Sequence, residues 1–538
     1  MANTDGIPAL LAPLAAECPV VEGGAVASAA ARAIAQALAD PAAWRTIRVR
    51  PGRGVFEVRA GGGEYVVKAY EAGLVARMSP LRFCASGREW RAIAAVVKAG
   101  VRTAPPVGLV SGRGVNFVIT EKLTGAAEFE AYLERERDRL LEDAKLARRL
   151  VGDFAAFVAG LHRAGLLHHD LHLRNILLRP PRKGQPAEFF VLDLADESLV
   201  PSTPLEGARL RNLAQLSLGF LDTPQSVKRR FLREYRRVVG DAGDETLAAR
   251  AIAEQAAELM FNLNTLRIAT CGDASSAIAR VERAGVALLI ARRASNADLS
   301  QLEQPLAQAE PARWGTLLYD HFELRLGEGS IWRLRSPIGG EAETRRKLEA
   351  LWGRLLELQA IGVSAPAPLA CLIQPPELTV FGAIPGRLSG LREHRGPDSL
   401  VLYEHLARQV LRMHRFGCFF LPMDPAATAE GLCVATPVRG GQTLVLCAPE
   451  HIFRGTPTVL GSQAVASLGR VARAVNLAAG ERAMKELVWA YARMLRLGPA
   501  DTQALMDEAR RVPTGNTLVL TRGIERSRIA WWTRETLT

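Results

Sequence analysis

Twenty-six residues constrain this chain more than any other stretch of it. They begin His168-His169-Asp170-Leu171-His172-Leu173-Arg174-Asn175-Ile176-Leu177-Leu178 and end Phe190-Val191-Leu192-Asp193. The apolar runs Ile176–Leu178 and Phe189–Leu192 read as short buried strands. Between them Pro180-Pro181-Arg182-Lys183-Gly184 supplies the turn of a hairpin. Rigid backbone thus carries an Asp, an Asn five residues on, and a second Asp. Those residue types suit phosphoryl transfer. One carboxylate (Asp170) can accept the proton of an attacking hydroxyl, while an amide oxygen (Asn175) and another carboxylate (Asp193) can hold Mg²⁺ against nucleotide phosphates. A lone His-x-Asp would say little; the ordered set says much.

The residues upstream fit the same chemistry. A helix over residues 24–39, rich in Ala, precedes strands Thr46–Arg50 and Val55–Arg59, with Pro51-Gly52-Arg53-Gly54 between them. Gly61-Gly62-Gly63 then turns the chain into Tyr65-Val66-Val67-Lys68-Ala69-Tyr70. Glycine backbone can approach phosphates closely, so Gly52 and Gly54 are candidate nucleotide contacts and the Gly61–Gly63 turn could lie over phosphates as well. Lys68 gains meaning from Glu89, 21 residues later on a predicted helix over Gly87–Lys98. A strand Lys paired with a helix Glu can aim a cation at phosphates. Phe117-Val118-Ile119-Thr120-Glu121 reads as a strand leading into an interlobe hinge, where backbone near Glu121 would meet an adenine. Residues 143–163 show helical periodicity, and the sequence reads as helical from Asp193 to about residue 290.

At 538 residues the chain exceeds what one hydrophobic core normally supports. A formal charge of +12 points to an anionic partner, without bearing on the fold. Seven scattered cysteines form no Cys-x-x-Cys pair, so neither a disulfide framework nor a zinc site is expected and a reducing compartment fits. No signal peptide or transmembrane helix is expected, which makes the cytoplasm the default.

The second half echoes the first. Ala99–Pro106 is matched by Ile361–Pro368, Leu161–Gly165 by Met413–Gly417, Phe190–Leu192 by Leu444–Leu446, and Phe231…Tyr235 by Leu487…Tyr491. The offsets of 262, 252, 254 and 256 nearly agree, which predicts one fold used twice with small indels. On these offsets Glu89 falls on Leu351, Asp170 on Pro422, Asn175 on Ala427 and Asp193 on Cys447, and only Arg333 or Arg335 lies near the counterpart of Lys68. Asp424 offers one rescue. The second copy therefore reads as a pseudokinase.

The first domain resembles the lipopolysaccharide core (Kdo/heptose) kinase family of the protein-kinase-like fold. Tyr65–Lys68, Arg88-Glu89-Trp90 with Gly100-Val101-Arg102-Thr103, the segment His168–Leu177 and Val191-Leu192-Asp193 carry the resemblance. It covers residues 45–240, with a fainter echo over 315–495. The resemblance implies Lys68 on the nucleotide phosphates with Glu89 as its partner, Asp170 as base, and Asn175 and Asp193 on the metal. It implies that His172, where protein kinases carry a phosphate-contacting Lys, stabilises charge there. Asp193 is followed by Leu-Ala rather than Phe-Gly, and the tandem arrangement departs from a family that is usually single-domain. His168 reads as packing behind the loop, His169 as either surface or substrate contact, and Arg174 as solvated or phosphate-proximal.

The expected fold class is α+β, with tandem protein-kinase-like bilobal domains. The expected boundaries are a helical segment at 1–42, a phosphotransferase domain at 43–290, a linker at 291–312, a pseudokinase domain at 313–511 and a basic, aromatic tail at 512–538. In that tail Arg522, Arg526, Arg528, Trp531, Trp532 and Arg534 suit either an anionic membrane surface or docking on the second domain. The function implied is ATP- and Mg²⁺-dependent phosphorylation of a sugar hydroxyl in a lipopolysaccharide core, by a cytoplasmic protein with a peripheral contact at the membrane face. A kinase for a small alcohol or a protein side chain shares every catalytic residue, and a non-catalytic nucleotide-binding scaffold is a third reading. Nucleic acid is not an expected partner.

Overall fold

The computed structural model describes residues 10–510 apart from 16–17, 51, 72–83, 113, 182–184, 195–197, 200–205, 222, 276–277, 284–285, 292–311, 316–319, 327–328, 385, 395–399, 422 and 437–441. The chain forms two compact units, Met1–Ile252 and Ala253–Thr538. Both mix helices with antiparallel sheet. No helix among the described residues is long and apolar enough to cross a membrane.

The first unit opens with β1 (Val20–Glu22), α1 (Gly24–Ala37), β2 (Trp44–Arg50), β3 (Arg53–Ala60), β4 (Gly63–Glu71), α2 (Ala85–Lys98), β5 (Pro106–Ser111) and β6 (Val115–Glu121). The strands form one sheet in the order β1-β5-β6-β4-β3-β2. Successive side chains of a strand face opposite sides, and the sequence obeys that period. Phe56, Val58, Val67, Ala69, Phe117 and Ile119 share one buried cluster with Ala30, Ala31 and Ile34 of α1. Tyr70 and Val118 join the other core with Ile93 and Val96 of α2. Lys68, one residue from Val67 and two from Tyr70, is thereby turned toward the α2 side. The segment expected as a separate helical stretch at 1–42 instead supplies the outer face of this sheet, because an Ala-rich stripe lets α1 lie close on the strands.

After two short helices, Phe129–Arg135 and Arg137–Glu142, that follow β7 (Ala127–Glu128), the unit continues with α3 (Ala144–Arg163), β8 (Leu166–Leu167), β9 (Ile176–Arg179), β10 (Glu188–Val191), β11 (Ser198–Leu199), α4 (Glu206–Leu218) and α5 (Gln225–Val239). The Asp143 carboxylate starts α3 by accepting from the Lys145 and Leu146 N–H groups at 3.0 and 2.9 Å. Leu150, Phe154, Val158 and Leu161 of α3 form its buried stripe. The Phe154 ring lies 5.1 Å from that of Phe189 on β10, and Phe157 stacks on Phe189 at 5.6 Å. These rings hold the β9–β10 hairpin, whose ends carry Asn175 and Asp193.

The division between the units falls within α6 (Glu245–Ala269), well before the expected linker. Residues 278–291, expected to be helical, are instead the hairpin β12 (Ile278–Arg283) and β13 (Val286–Ala291). Short apolar runs fit helix and strand equally well until a partner is known. Here β17 (Ala367–Gln374) supplies it, pairing Leu289 with Cys371. With β14 (Ala312–Gly315), β15 (Asp320–Leu326), β16 (Gly329–Pro337) and β18 (Glu377–Ile384) the order is β12-β13-β17-β18-β16-β15-β14. A helical run from α7 (Glu341–Leu348) through a π turn (Glu349–Gly353) to α8 (Arg354–Ala360) packs Leu351, Trp352 and Leu355 into one core with Trp332 and Leu334 of β16. Next come β19 (Arg387–Gly390), α9 (Leu400–Arg415), β20 (Cys418–Phe420), α10 (Pro425–Glu430), β21 (Leu432–Thr436), β22 (Thr443–Leu446) and β23 (Ile452–Arg454). Helices α11 (Ser462–Ala479), α12 (Glu481–Met494) and α13 (Pro499–Arg510) complete the unit. The expected 512–538 tail and residues 292–311 of the expected linker lie outside the described residues.

Candidate active site

The inner face of the first sheet places Lys68 against α2, where its Nζ donates to Glu89 Oε1. Glu89 is fully buried, and its Oε2 accepts from the Tyr70 hydroxyl. Lys68 Nζ also stands 3.4 Å from Asp193 Oδ1, so strand, helix and the segment that follows β10 meet on one cation. Arg53, at the start of β3, donates to the same Asp193 oxygen. Burial alone would raise the Asp193 carboxyl; the charges of Lys68 and Arg53 outweigh it and hold that carboxyl down at about 2. Asp193 also takes a positive φ of 60°. This left-handed backbone is uncommon for a non-glycine residue and costs little for Asp. It turns the carboxylate back toward β4.

Asp170, His172 and Asn175 sit together on the loop between β8 and β9. His172 Nε2 lies 3.2 Å from Asp170 Oδ2, and this hydrogen bond holds the Asp170 carboxyl below its ordinary value. The Asn175 amide donates through Nδ2 to the Asp170 carbonyl at 2.9 Å, which turns its Oδ1 the opposite way. His168 is buried and ties the loop to the second carboxylate. Its Nδ1 accepts from the Asp170 N–H at 3.2 Å and its Nε2–H donates to the Leu192 carbonyl at 2.8 Å. Burial pushes the His168 imidazole down, and this neutral tautomer makes both bonds. The Leu192 N–H in turn donates to the Asn175 carbonyl at 2.8 Å. Asp170 and Asn175, five residues apart, and Asp193, 18 residues beyond Asn175, are thus held by one short hydrogen-bonded frame.

That frame rests on residues the motif did not reveal. Asn212 of α4 accepts from the His168 N–H at 3.2 Å and donates to its carbonyl at 2.6 Å. It is approached at 3.3 Å by His162 Nε2, whose Nδ1 meets the Tyr235 hydroxyl at 2.7 Å. Burial drives the His162 imidazole down to about 4, so it is neutral and one nitrogen accepts while the other donates. Thr103 Oγ1 donates to the Val191 carbonyl at 2.7 Å, and the Val191 N–H donates to the Arg102 carbonyl at 3.0 Å. The Gly-Val-Arg-Thr run therefore clamps the strand that delivers Asp193. Period-two alternation could have found Tyr70, two residues after Lys68 on the same face. Nothing in spacing points to Asn212 or Arg53.

The glycines divide. Arg53 pairs with Tyr70 and Val55 with Lys68, so Gly52 before β3 and Gly54 at its start lie at the Lys68 end of the sheet. A Cβ at Gly54 would stand 2.4 Å from the Phe56 ring, so no other residue fits there without displacing Phe56. The Gly61–Gly63 turn closes β3 and β4 beyond Ala60↔Gly63, on the opposite side of Lys68, and does not reach the site. Glu121 ends β6 opposite Tyr65 with an exposed side chain, and its N–H is spent on the Pro105 carbonyl at 2.9 Å. Arg174 donates to Glu130.

Among the described residues no cluster of three or more His, Cys, Asp or Glu side chains could hold a metal. Magnesium carried on a nucleotide needs only one or two protein oxygens, the rest coming from phosphate and water. The Asn175 amide oxygen and the Asp193 carboxylate form such a hard-oxygen pair, so the residues fit that ion.

Residues 65–235 match the model of the lipopolysaccharide kinase (Kdo/WaaP) family. The lipopolysaccharide core heptose(I) kinase WaaP of Pseudomonas aeruginosa is 28% identical over 233 residues, spanning 40% of this chain and 86% of that protein. The protein of the same name from Escherichia coli K12 is 32% identical over 117 residues, 20% of this chain and 43% of that one. A solved structure of WaaP in complex with acyl carrier protein shares 28% identity and covers 40% of this chain and 88% of that one, with a TM-score of 0.33. Taken with the geometry above, residues 65–235 belong to the lipopolysaccharide kinase (Kdo/WaaP) family, and this part of the chain is a kinase.

Proposed function

We propose that the first unit transfers the terminal phosphoryl group of ATP to a sugar hydroxyl of a lipopolysaccharide core, Kdo or heptose. The observation that carries this reading is the meeting of Lys68, Glu89 and Asp193 beside a loop that presents Asp170 and Asn175. Glu89 holds Lys68 extended toward the phosphates. Asn175 and Asp193 would hold Mg²⁺, which supplies charge neutralisation on the phosphates when bound. Asp170 accepts the proton of the sugar hydroxyl, and its depressed carboxyl keeps it ionised for that purpose. His172, already bonded to Asp170, orients it and can meet charge on the transferred group. Phosphoryl transfer leaves the protein mainly positioning and electrostatics. The reaction would run in the cytoplasm, with a peripheral contact at the membrane face where a glycolipid acceptor is anchored. Transfer of labelled phosphate from ATP into extracted cell-envelope glycolipid, with Asp170→Ala as control, tests it. Label that enters only small soluble alcohols or protein would overturn the acceptor assignment.

We also propose that the second unit is a degenerate copy of the first, a pseudokinase. Corresponding registers support this. Pro106↔Thr120 and Pro368↔Gly382 each precede a bulge, after which Lys68 pairs with Val118 and Leu334 with Val380. The counterpart of Lys68 is then Leu334 itself rather than a neighbouring Arg. Leu334 and Leu351 are both fully buried in one apolar cluster, where the first unit has an ion pair. His414 Nδ1 meets the Tyr491 hydroxyl at 2.8 Å, as His162 meets Tyr235. The Leu446 N–H donates to Ser364 and the Cys447 N–H to Gly431, both at 2.8 Å, repeating the Val191–Arg102 and Leu192–Asn175 bonds. These bonds match Asn175 with Gly431 and Asp193 with Ala448, correcting the pairings with Ala427 and Cys447 that constant offsets suggested. Neither residue offers a side-chain oxygen. Asp424 caps α10 by accepting from the Ala426 N–H at 2.8 Å, which gives its carboxylate a local use.

A further inference from the structure

Arg53 stands in a place where the fold asks for no arginine. It lies between Gly52, held at a φ of 72°, and Gly54, whose missing Cβ accommodates Phe56, so glycine on both sides already accounts for the turn. Its side chain points to the same face as Lys68, because Arg53 pairs with Tyr70 across β3 and β4. The guanidinium lies 5.0 Å from the centre of the Tyr70 ring, which supports it from one side, and it donates to Asp193 Oδ1. Its Nε is buried and has no hydrogen-bond partner. A buried donor with no protein partner at this position is open to a group that arrives from outside.

The charges make the same point. Lys68, Arg53, Glu89 and Asp193 are two cations and two carboxylates, neutral together. A divalent ion held by the Asp193 carboxylate would compete for it with Lys68 and Arg53. Lys68 keeps Glu89 as a second partner, whereas among the described residues Asp193 is the only carboxylate paired with Arg53. The guanidinium is therefore the group freer to leave, and the nearest new anion is the phosphate chain that would bring the ion in. A planar fork of N–H donors suits phosphate oxygens better than an ammonium does.

We propose that Arg53 is a phosphate-binding residue of the nucleotide site, parked on Asp193 until Mg²⁺ and nucleotide arrive together and then transferred to the phosphates. This rests on the kinase reading of the first unit. It adds a specificity element: affinity for Mg·ATP over adenosine should depend on a side chain of the glycine turn as well as on Lys68.

The test is calorimetric titration of the full-length protein with adenosine, ADP and ATP in excess Mg²⁺, for the wild type, Arg53→Met and Arg53→Lys. Methionine keeps the aliphatic stem over Tyr70 and removes the charge. Arg53→Met should raise Kd for Mg·ATP about tenfold or more, the scale of one charge-assisted hydrogen bond, and leave adenosine affinity unchanged. Arg53→Lys should fall between them, and it decides the matter if the methionine variant does not fold. Wild-type or tighter Mg·ATP binding by the variants would make Arg53 a mere counter-ion displaced by the metal, and would overturn the inference while leaving the kinase reading intact. A wild-type chain that bound ATP no better than adenosine would sink both.

Discussion

Replacing Glu89 by Ala removes one member of a buried ion pair. Glu89 is fully buried and the Lys68 side chain is 16% exposed, so solvent can compensate the orphaned ammonium only in part. Breaking a buried pair by deleting one partner typically costs 3–5 kcal/mol. Asp193, 3.4 Å from Lys68 Nζ, retains some of the attraction, which puts the expected loss at the low end, about 3 kcal/mol. The Tyr70 hydroxyl loses its acceptor as well. For a unit of this size that loss lowers the melting temperature by roughly 6–12 °C. Differential scanning calorimetry of the full chain reads it. The double variant Lys68→Leu/Glu89→Leu supplies the contrast, because Leu334 and Leu351, their counterparts in the proposed second copy, are both fully buried. Well-packed apolar pairs often replace buried ion pairs without loss. The double variant should therefore recover most of the stability while remaining unable to bind Mg·ATP tightly. If Glu89→Ala melts within about 2 °C of wild type, or if the double variant is less stable than the single, the ion pair is not the buried, uncompensated arrangement described here.

Asp170→Ala should abolish transfer, a loss of about 10²-fold or more, while nucleotide affinity stays near wild type; Asp193→Ala should lose both, and equal losses of binding would reverse the two roles. His162 is held down to about 4 by burial, below its ordinary 6.5, so its neutral form stabilises the fold. That stability is complete above about pH 6.5 and is lost as pH falls toward 4; a melting temperature flat across this window, or as steep in His162→Gln, would contradict it. Arg454 donates to the Phe261 carbonyl at 2.7 Å and pairs with buried Glu357 at 2.9 Å, so Arg454→Ala should destabilise the second unit by about 3 kcal/mol, read by urea denaturation. Full-length Lys68→Ala/Asp193→Ala should show no residual Mg·ATP binding, and residual binding at wild-type strength would mean that the second unit holds nucleotide.

The sequence by itself singled out Asp170, Asn175 and Asp193 as candidates for phosphoryl transfer, because that chemistry admits few residue types and the three stand in the required order beside short apolar strands. It also determined which face of β4 carries Lys68, since strand alternation is a local property: Val67 and Ala69 go to one core and Tyr70 to the other. The pairing of Lys68 with Glu89 was legible as a strand–helix spacing. Tertiary structure decided what no local pattern encodes. Two glycine turns looked alike, and only the β3–β4 register puts Gly52 and Gly54 near Lys68 and Gly61–Gly63 far from it. The apolar run of β13 became a strand because β17 was there to accept its hydrogen bonds. Asn212 and Arg53 belong to the site through contacts across 44 and 140 residues of chain, and such contacts exist only once the backbone has folded. Side-chain chemistry is written residue by residue, whereas proximity between distant residues is a product of packing.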